Sequence, residues 1–114
     1  MPTKPLTESF DIAFLEELKY ANRCYNEAFG TEYNLNICME EPAELIQAIS
    51  KCRRDMTPKA KDHLAEEIGD TIGAIIKLCQ IYDITSDQIT NWMRYKMERG
   101  MKAVEENKKN DKER

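Results

Sequence analysis

Several common sequence signals are missing from this 114-residue chain, and each absence argues against one class of protein. No apolar run approaches the ~20 residues that a helix needs to cross a bilayer. The first residues, Met1–Pro5, lead into no hydrophobic signal region, so we expect no export. With 17 basic against 21 acidic residues, the net charge of −4 argues against broad nucleic-acid binding. No glycine-rich phosphate loop is present, which excludes a Walker-type nucleotide site.

The cysteines form no closely spaced pair that would indicate a zinc ribbon or a thioredoxin-like motif. Each lies in an apolar helical context, so we expect buried free thiols and a reducing, cytoplasmic environment. His63 is the only histidine, and one histidine cannot supply the two Glu-x-x-His motifs of a helical di-iron protein. No serine or cysteine has an evident histidine partner for covalent catalysis. The four cysteines are Cys24, Cys38, Cys52 and Cys79.

The sequence is rich in helix-forming residues that follow a helical period. Charged residues make up 33% of the chain and aromatic residues 8%, with only four glycines and four prolines. No segment shows a useful strand pattern. Apolar residues that recur every three or four positions predict four helices. These predicted helices cover residues 9–29, 37–54, 58–82 and a last stretch that starts after residue 85.

The four helices are expected to form one all-α domain, an antiparallel four-helix bundle over residues 9–104. The length of the chain allows one core of modest size and is too short for two. Residues 1–8 contain two prolines and are expected to be a flexible lead. The charged tail at 105–114 is expected to fray. Several broad apolar faces on so short a chain predict a homodimer or a higher homo-oligomer.

Short local signals predict where the helices begin and end. Gly30 is a natural end for the first helix, and the polar residues 31–36 are typical of a connection. Thr57 is expected to cap the third helix, with a proline at the first helical position. Thr85 and Gln88 have the spacing of a capping box at the start of the fourth helix.

Pro42 conflicts with the second predicted helix, because proline lacks an amide hydrogen and crowds the carbonyl four residues back. Two alternatives follow. Either the regular helix begins close to Glu40 and Glu41, or the helix is kinked there. The choice decides how Glu41 and Glu44 are oriented relative to each other.

The third predicted helix carries the clearest periodic pattern in the chain. Its apolar positions alternate spacings of four and three, as in a bundle helix with one buried face. Gly69 and Gly73 lie four residues apart, and small residues for helix packing are the expected explanation. The expected buried seam consists of Leu64, Ile68, Thr71, Ile75, Leu78 and Tyr82.

Two acidic motifs, one in the second helix and one in the third, indicate a site. Glu41 and Glu44 are three residues apart and share a helix face, and so do Glu67 and Asp70. Each pair lies on the margin of the face that should be buried. Acidic side chains are rarely buried unless they are paired or bind a metal. Carboxylates are hard oxygen donors that suit Mg²⁺ or Mn²⁺, so the four acids predict a divalent cation site.

The order Glu41-x-x-Glu44, a gap of 22 residues, then Glu67-x-x-Asp70 resembles the all-α nucleoside triphosphate pyrophosphohydrolases of the MazG type. The doubled glutamates and the sequence EEIGD match the pattern of that family as well. The resemblance covers about residues 10–100. It implies a Mg²⁺-dependent hydrolase, with Mn²⁺ as a second option, that cleaves a (d)NTP to a (d)NMP and pyrophosphate. The implied metal-binding and catalytic residues are Glu41, Glu44, Glu67 and Asp70.

The resemblance also suggests where the substrate phosphates bind. Lys96 and Arg99 are similar to the Lys-x-x-Arg stretch of the family near the phosphate end of the pocket, and their chemistry suits phosphate. Lys77 is seven residues past Asp70, hence on the same side of the helix, and is a further candidate. Aromatic residues stack on a base in one interpretation and belong to the core in the other. These aromatic residues are Phe29, Tyr33, Trp92 and Tyr95.

Several alternatives stay open at this level. Glu40 and Glu66 are candidates for an outer-shell ligand or a general base, or they are simply exposed. The acids as a whole have a plainer interpretation as solvated helix faces, in which case the chain is a non-catalytic helical interaction module. The base, the sugar and the number of metal ions are not specified by the sequence.

Overall fold

The computed structural model describes residues 12–113, and over this range the backbone forms four α-helices and no strand. The all-α prediction is therefore confirmed. The predicted lead at 1–8 and the predicted start of the first helix lie outside the described residues. Among the described helices, none is both long and apolar enough to cross a membrane. The helices are α1 (Ile12–Phe29), α2 (Thr31–Arg54), α3 (Pro58–Tyr82) and α4 (Ser86–Glu113).

The chain divides into two compact units, one that ends at Tyr82 and one that begins at Asp83. The first unit holds α1, α2 and α3. Its main packing pair is α2 with α3, and α1 packs against both. Because a connection of only three residues joins α2 to α3, these two helices are antiparallel neighbours. The second unit holds α4, which is helical to Glu113; fraying of the tail from residue 105 stays a prediction.

The connection predicted at residues 31–36 is wrong, because α2 already begins at Thr31. Only Gly30 separates α1 from α2, and its φ of 87° lies in the region that favours glycine. The Asn34 side chain donates to the carbonyl oxygens of Tyr25 at 3.1 Å and Gly30 at 2.7 Å. These bonds attach the first turn of α2 to the last turns of α1 and to the glycine between the two helices. The polar residues in this stretch therefore build a tight helix corner.

Pro42 lies inside α2, so the alternative in which the helix begins near Glu40 is wrong. Two contacts join α2 to α3 in the turn that precedes the proline. The Cys38 thiol donates to the carbonyl oxygen of Ala74 at 3.3 Å, and the Thr71 hydroxyl lies 3.3 Å from the carbonyl oxygen of Glu41. These contacts attach α2 to α3 just before the position where the helix lacks an amide hydrogen.

Both predicted helix starts are confirmed by capping hydrogen bonds. The amide of Ala60 donates to Thr57 Oγ1 at 3.0 Å at the start of α3. At the start of α4 the amide of Thr85 donates to Gln88 Oε1 at 2.8 Å, and the amide of Gln88 donates back to Thr85 Oγ1 at 3.2 Å. This reciprocal pair is the predicted capping box.

The predicted seam of α3 is only partly buried. Thr71 is buried, but Ile68, Ile75 and Tyr82 are exposed. The face of α3 that packs inward is rotated around the helix relative to the predicted face, and it carries polar groups. The prediction failed because periodicity identifies the apolar residues of a helix but not the helices that lie opposite them. All four cysteines are free as predicted, but the predicted burial is confirmed for Cys38 alone and is wrong for Cys24, which is exposed. The buried residues of the first unit are Asn22, Asn34, Cys38, Ala48, Glu67, Thr71, Ala74 and Lys77.

Candidate metal and substrate site

The two acidic motifs meet where α2 packs against α3. Glu41, Glu44 and Glu67 each offer one carboxylate oxygen, and the three oxygens lie within 4.8 Å of one another. Glu67 is only 6% exposed, Glu41 is half-buried and Glu44 is exposed. The Thr71 hydroxyl donates to the carbonyl oxygen of Glu67 at 2.8 Å, one turn earlier in α3, and also approaches α2. The helix pair thus holds three of the four predicted acids together.

Asp70, the fourth acid, is exposed and lies outside that group of three. Its charge nevertheless raises the pKa of both Glu41 and Glu67, so it belongs to the same electrostatic environment. Together with Glu41 it lines a cleft in the first unit. A ligand in that cleft would meet both side chains.

Burial and like charges act together on the two inner carboxyls. Burial is the main reason that the pKa of Glu41 is raised, and Asp70, Glu44 and Glu67 raise it further. Burial likewise raises the pKa of Glu67, with Glu44 and Asp70 adding to the effect. The two raised pKa values indicate that a negative charge on either carboxyl is not compensated by a nearby positive charge. The charge of His63 has the opposite, smaller effect and lowers the pKa of Glu67.

Two buried oxygens in this group have no hydrogen-bond partner among residues 12–113, namely Oε2 of Glu41 and Oε2 of Glu67. A buried polar atom without a partner is costly, and a buried carboxylate without a cation more so. The donors are carboxylate oxygens, which Mg²⁺ and Mn²⁺ accept and which hold zinc poorly without His or Cys. The group therefore fits a hard divalent cation.

A cleft of about 430 Å³ opens between α1, α2 and α3 beside the acids. This volume is within the usual range for small-molecule sites. Gly69 and Gly73 line the cleft, and a Cβ at either position would meet no atom within 4 Å. These glycines therefore leave space beside the acids, and the predicted role in close helix packing is wrong. The apolar lining comes from Phe14, Leu15, Leu18, Ile37, Ile72 and Ile76.

Lys77 is buried and also lines this cleft. Its Nζ donates to Asn34 Oδ1 at 2.9 Å and lies 5.1 Å from the centre of the Tyr25 ring. No carboxylate of the described chain pairs with it within 4 Å. A buried ammonium without a counter-ion, at the wall of a cleft, suits an anionic ligand.

The other two basic candidates lie in α4, in the second unit. Lys96 Nζ is 5.9 Å and Arg99 Cζ 5.8 Å from the centre of the Tyr95 ring. Trp92 and Tyr95 make an edge-to-face contact with ring centres 5.9 Å apart. All four side chains are exposed. Their part in substrate binding stays a prediction.

Glu40 and Glu66, the candidates for an outer-shell ligand or a base, are both exposed. Glu40 has the smallest of the carboxylate effects on the pKa of Glu41. Glu66 Oε1 lies 3.2 Å from His63 Nδ1. The roles of Glu40 and Glu66 as outer-shell ligand or general base therefore stay predictions.

Buried amides near the cleft were missed by the sequence-based prediction. Asn22 Nδ2 donates to Gln80 Oε1 at 2.8 Å, and Gln80 Nε2 donates to the carbonyl oxygen of Lys19 at 3.1 Å. This chain of bonds joins α1 to α3 at the cleft wall. One signal could have revealed Asn22: it follows Leu18 by four residues, so an amide occupies a position on the inward helical period.

One comparison with known proteins identifies the chain. The model of the MazG nucleotide pyrophosphohydrolase domain matches residues 29–105, more than half of the sequence and a range that includes both acidic motifs. The chain belongs to the MazG nucleotide pyrophosphohydrolase family. The resemblance seen in the sequence is thus confirmed. Searches of curated proteins and of solved structures found no significant match.

Proposed function

We propose that this chain is a Mg²⁺-dependent nucleoside triphosphate pyrophosphohydrolase, with Mn²⁺ as a substitute ion. The reaction would cleave the bond between the α- and β-phosphates of a (d)NTP and yield a (d)NMP and pyrophosphate. The observation that carries the proposal is the group Glu41, Glu44 and Glu67 with its two unpartnered buried oxygens. The group lies inside the matched family domain.

The acids have two tasks in this proposal. Glu41, Glu44, Glu67 and Asp70 supply the oxygens that hold the cation. Mg²⁺ bound there would polarise a phosphoryl oxygen and offset the charge of the departing pyrophosphate. A carboxylate of the site, with Glu40 and Glu66 as further candidates, accepts a proton from the attacking water. A raised pKa makes a carboxylate a stronger base near neutral pH.

The cleft beside the acids would hold the rest of the substrate. Its apolar walls suit a base and a sugar, and Lys77 offers an ammonium to the phosphates. Lys96 and Arg99 are proposed as additional phosphate ligands. These roles agree with a substrate that is apolar at one end and strongly anionic at the other.

We further propose that the enzyme acts in the cytoplasm, in nucleotide-pool housekeeping, and as a homodimer or higher homo-oligomer. Free thiols agree with a reducing compartment. Many large apolar side chains are exposed in both units, for example Ile46, Ile75 and Trp92. Exposed apolar surface of this kind favours a protein partner, here a second copy of the chain. The net charge of −4 argues against a nucleic-acid partner.

Thermal unfolding with Mg²⁺ and a non-hydrolysable triphosphate tests this proposal. A ligand at about 100 times its Kd stabilises the native state by about 2.7 kcal/mol. We expect a clear rise in Tm that needs both the metal and the triphosphate. An unchanged Tm would favour the non-catalytic interaction module, whose acidic side chains are only solvated surface.

A further inference from the structure

His63 lies one helical turn before Glu67, at the edge of the acidic site. His63 Nδ1 is 3.2 Å from Glu66 Oε1, and His63 Nε2 is 3.9 Å from Glu67 Oε1. Glu67 therefore belongs to two groups of ligand atoms, one with Glu41 and Glu44 and one with His63 and Glu66. The activity proposed above gives the imidazole no role.

The hydrogen bonds of the imidazole account for one ring nitrogen only. In the tautomer with the proton on Nδ1, this nitrogen donates to Glu66 Oε1, because an ionised carboxylate can only accept. Nε2 then faces Glu67 Oε1 at a distance too long for a hydrogen bond in either protonation state. In the neutral ring both facing atoms are acceptors. A cation between them would satisfy both.

The distance between these atoms suits a metal ion. Bonds from zinc to imidazole nitrogen and to carboxylate oxygen are about 2.0–2.2 Å long, so two ligand atoms at a tetrahedral angle are about 3.4 Å apart. The observed 3.9 Å between His63 Nε2 and Glu67 Oε1 needs a side-chain shift of only about half an ångström to reach that distance. Ligands four residues apart on one helix are a known metal-binding arrangement. A carboxylate that accepts from the other ring nitrogen, as Glu66 does, orients a metal-binding imidazole.

The burial of Glu67 adds to this geometry. Its side chain is more than nine-tenths buried, and its Oε2 has no partner within the described part of the chain. Oε1 faces His63 at 3.9 Å, so the imidazole does not compensate the charge of this carboxylate through a hydrogen bond. Imidazole nitrogen selects zinc and other transition metals over Mg²⁺.

We propose that His63 and Glu67 bind a divalent transition-metal ion, of the class of Zn²⁺, Co²⁺ or Mn²⁺, beside the Mg²⁺ site, with Glu66 orienting the imidazole. Glu67 would be shared by the two sites, because it belongs to both groups of ligand atoms. This site goes beyond the proposed hydrolysis and does not depend on any nucleotide.

The test is a Zn²⁺ titration of ¹⁵N-labelled, tag-free protein, followed by the ring nitrogens in a long-range ¹H–¹⁵N spectrum. His63 is the only histidine, so every imidazole signal belongs to it. We expect Zn²⁺ to shift Nε2 to saturation, and Mg²⁺ at the same concentration to leave it in place. The Glu67→Gln variant should weaken the apparent Zn²⁺ affinity by at least about tenfold.

The matched control is Asp62→Asn, which removes an exposed acid next to His63 that belongs to neither group. Its Zn²⁺ titration should match that of the unaltered protein. A second measurement counts Mn²⁺ ions by the loss of the free-ion EPR signal, and His63→Gln should bind one ion fewer. The proposal is overturned if Zn²⁺ leaves Nε2 unmoved, or if Glu67→Gln titrates like the unaltered protein. No nucleotide is present, so these results are independent of the hydrolase activity.

Discussion

At the scale of single residues, Glu67 connects the stability of the fold with the proposed chemistry. Its side chain is buried at the α2–α3 contact, where Glu41 and Glu44 are its neighbours. Burial raises its pKa above the ordinary value, so the native state holds the proton more tightly than the unfolded state does. The group therefore stabilises the native state at acidic pH. As pH rises through the native-state pKa, this contribution is lost.

The first prediction concerns the stability of Glu67→Gln without metal. In EDTA at about pH 7.5 the variant should have a higher Tm than the unaltered protein, because an uncompensated buried charge is removed. The difference should shrink as the pH falls toward about 3, where the glutamate is largely protonated in both states. Thermal unfolding across this pH range is the measurement.

Saturating Mg²⁺ provides the control for this prediction. At the proposed site the ion would compensate the charge of Glu67 in the unaltered protein, so Mg²⁺ should raise that Tm more than it raises the Tm of the variant. Equal Mg²⁺ shifts in both proteins would contradict the placement of Glu67 at the cation site.

The second prediction concerns Asp70→Asn, a change at an exposed position that should leave helicity nearly intact. If Asp70 helps to hold the cation against the phosphates, kcat/KM for pyrophosphate release should fall at least about a hundredfold. The matched control is Glu32→Gln, which removes an exposed acid of α2 far along the helix from the site. Undiminished turnover of Asp70→Asn would remove this residue from the site.

At the scale of the helices, the corner between α1 and α2 depends on one glycine. Gly30 has φ 87° and ψ 162°, a conformation that is essentially restricted to glycine. A Cβ at this position would meet no atom within 4 Å, so the cost of a side chain is a backbone cost alone. Gly100 lies inside α4 and has equally free surroundings, but helical dihedral angles.

The third prediction uses this pair of glycines. Gly30→Ala should destabilise the protein by about 1–3 kcal/mol, the typical cost of a strained backbone conformation. Gly100→Ala should stabilise α4 by about 0.5–1 kcal/mol, because alanine is the better helix former. Denaturant unfolding and hydrogen exchange measure the two changes. Effects of the same sign would contradict the described backbone at Gly30.

The fourth prediction concerns Asn34, which is fully buried and joins the α1–α2 corner to Lys77. Asn34→Ala leaves the Lys77 ammonium without its hydrogen-bond partner, and the expected loss is about 1–3 kcal/mol of unfolding free energy. The control is Asn36→Ala, an exposed position two residues later, with an expected change within about 0.5 kcal/mol. Denaturant titration measures both changes. Similar values for the two variants would contradict the buried network.

Local signals in the sequence predicted the ends of helices better than their inward faces. Thr57 and the pair Thr85–Gln88 cap helices as predicted, because a cap depends on residues within one turn. The predicted start of α2 was wrong because the polar side chain of Asn34 bonds to the preceding helix, which a polarity pattern cannot show. Ile75 was expected to be buried and is exposed, since burial depends on which neighbouring helix lies opposite.

At the scale of the whole molecule, the sequence predicted three acids that the structure brings together, but not the surroundings of these acids. The two motifs share a spacing that placed Glu41 and Glu67 on margins of buried faces, and the structure brings these side chains together. The cleft, the buried Lys77 and the Asn22–Gln80 bond depend on the packing of α1 against α3. Contacts between residues that are far apart in the sequence produce no periodic pattern, so a single sequence could not predict them.

Exposed apolar side chains occur in both units of the chain. The MazG match likewise includes residues of both units. Trp92 and Met93 in α4 are largely exposed, as are Ile46 and Ile75 in the first unit. A homo-oligomer that covers these side chains is the state in which we expect activity.

Pyrophosphate release from a panel of common NTPs and dNTPs tests the central claim most directly. The assay would be run in parallel with Mg²⁺, Mn²⁺ and EDTA, and both products would be identified. We predict metal-dependent formation of pyrophosphate and a nucleoside monophosphate, with the base preference set by the cleft. Release of orthophosphate would mean that a different bond is cut, and no turnover of any nucleotide would contradict the account.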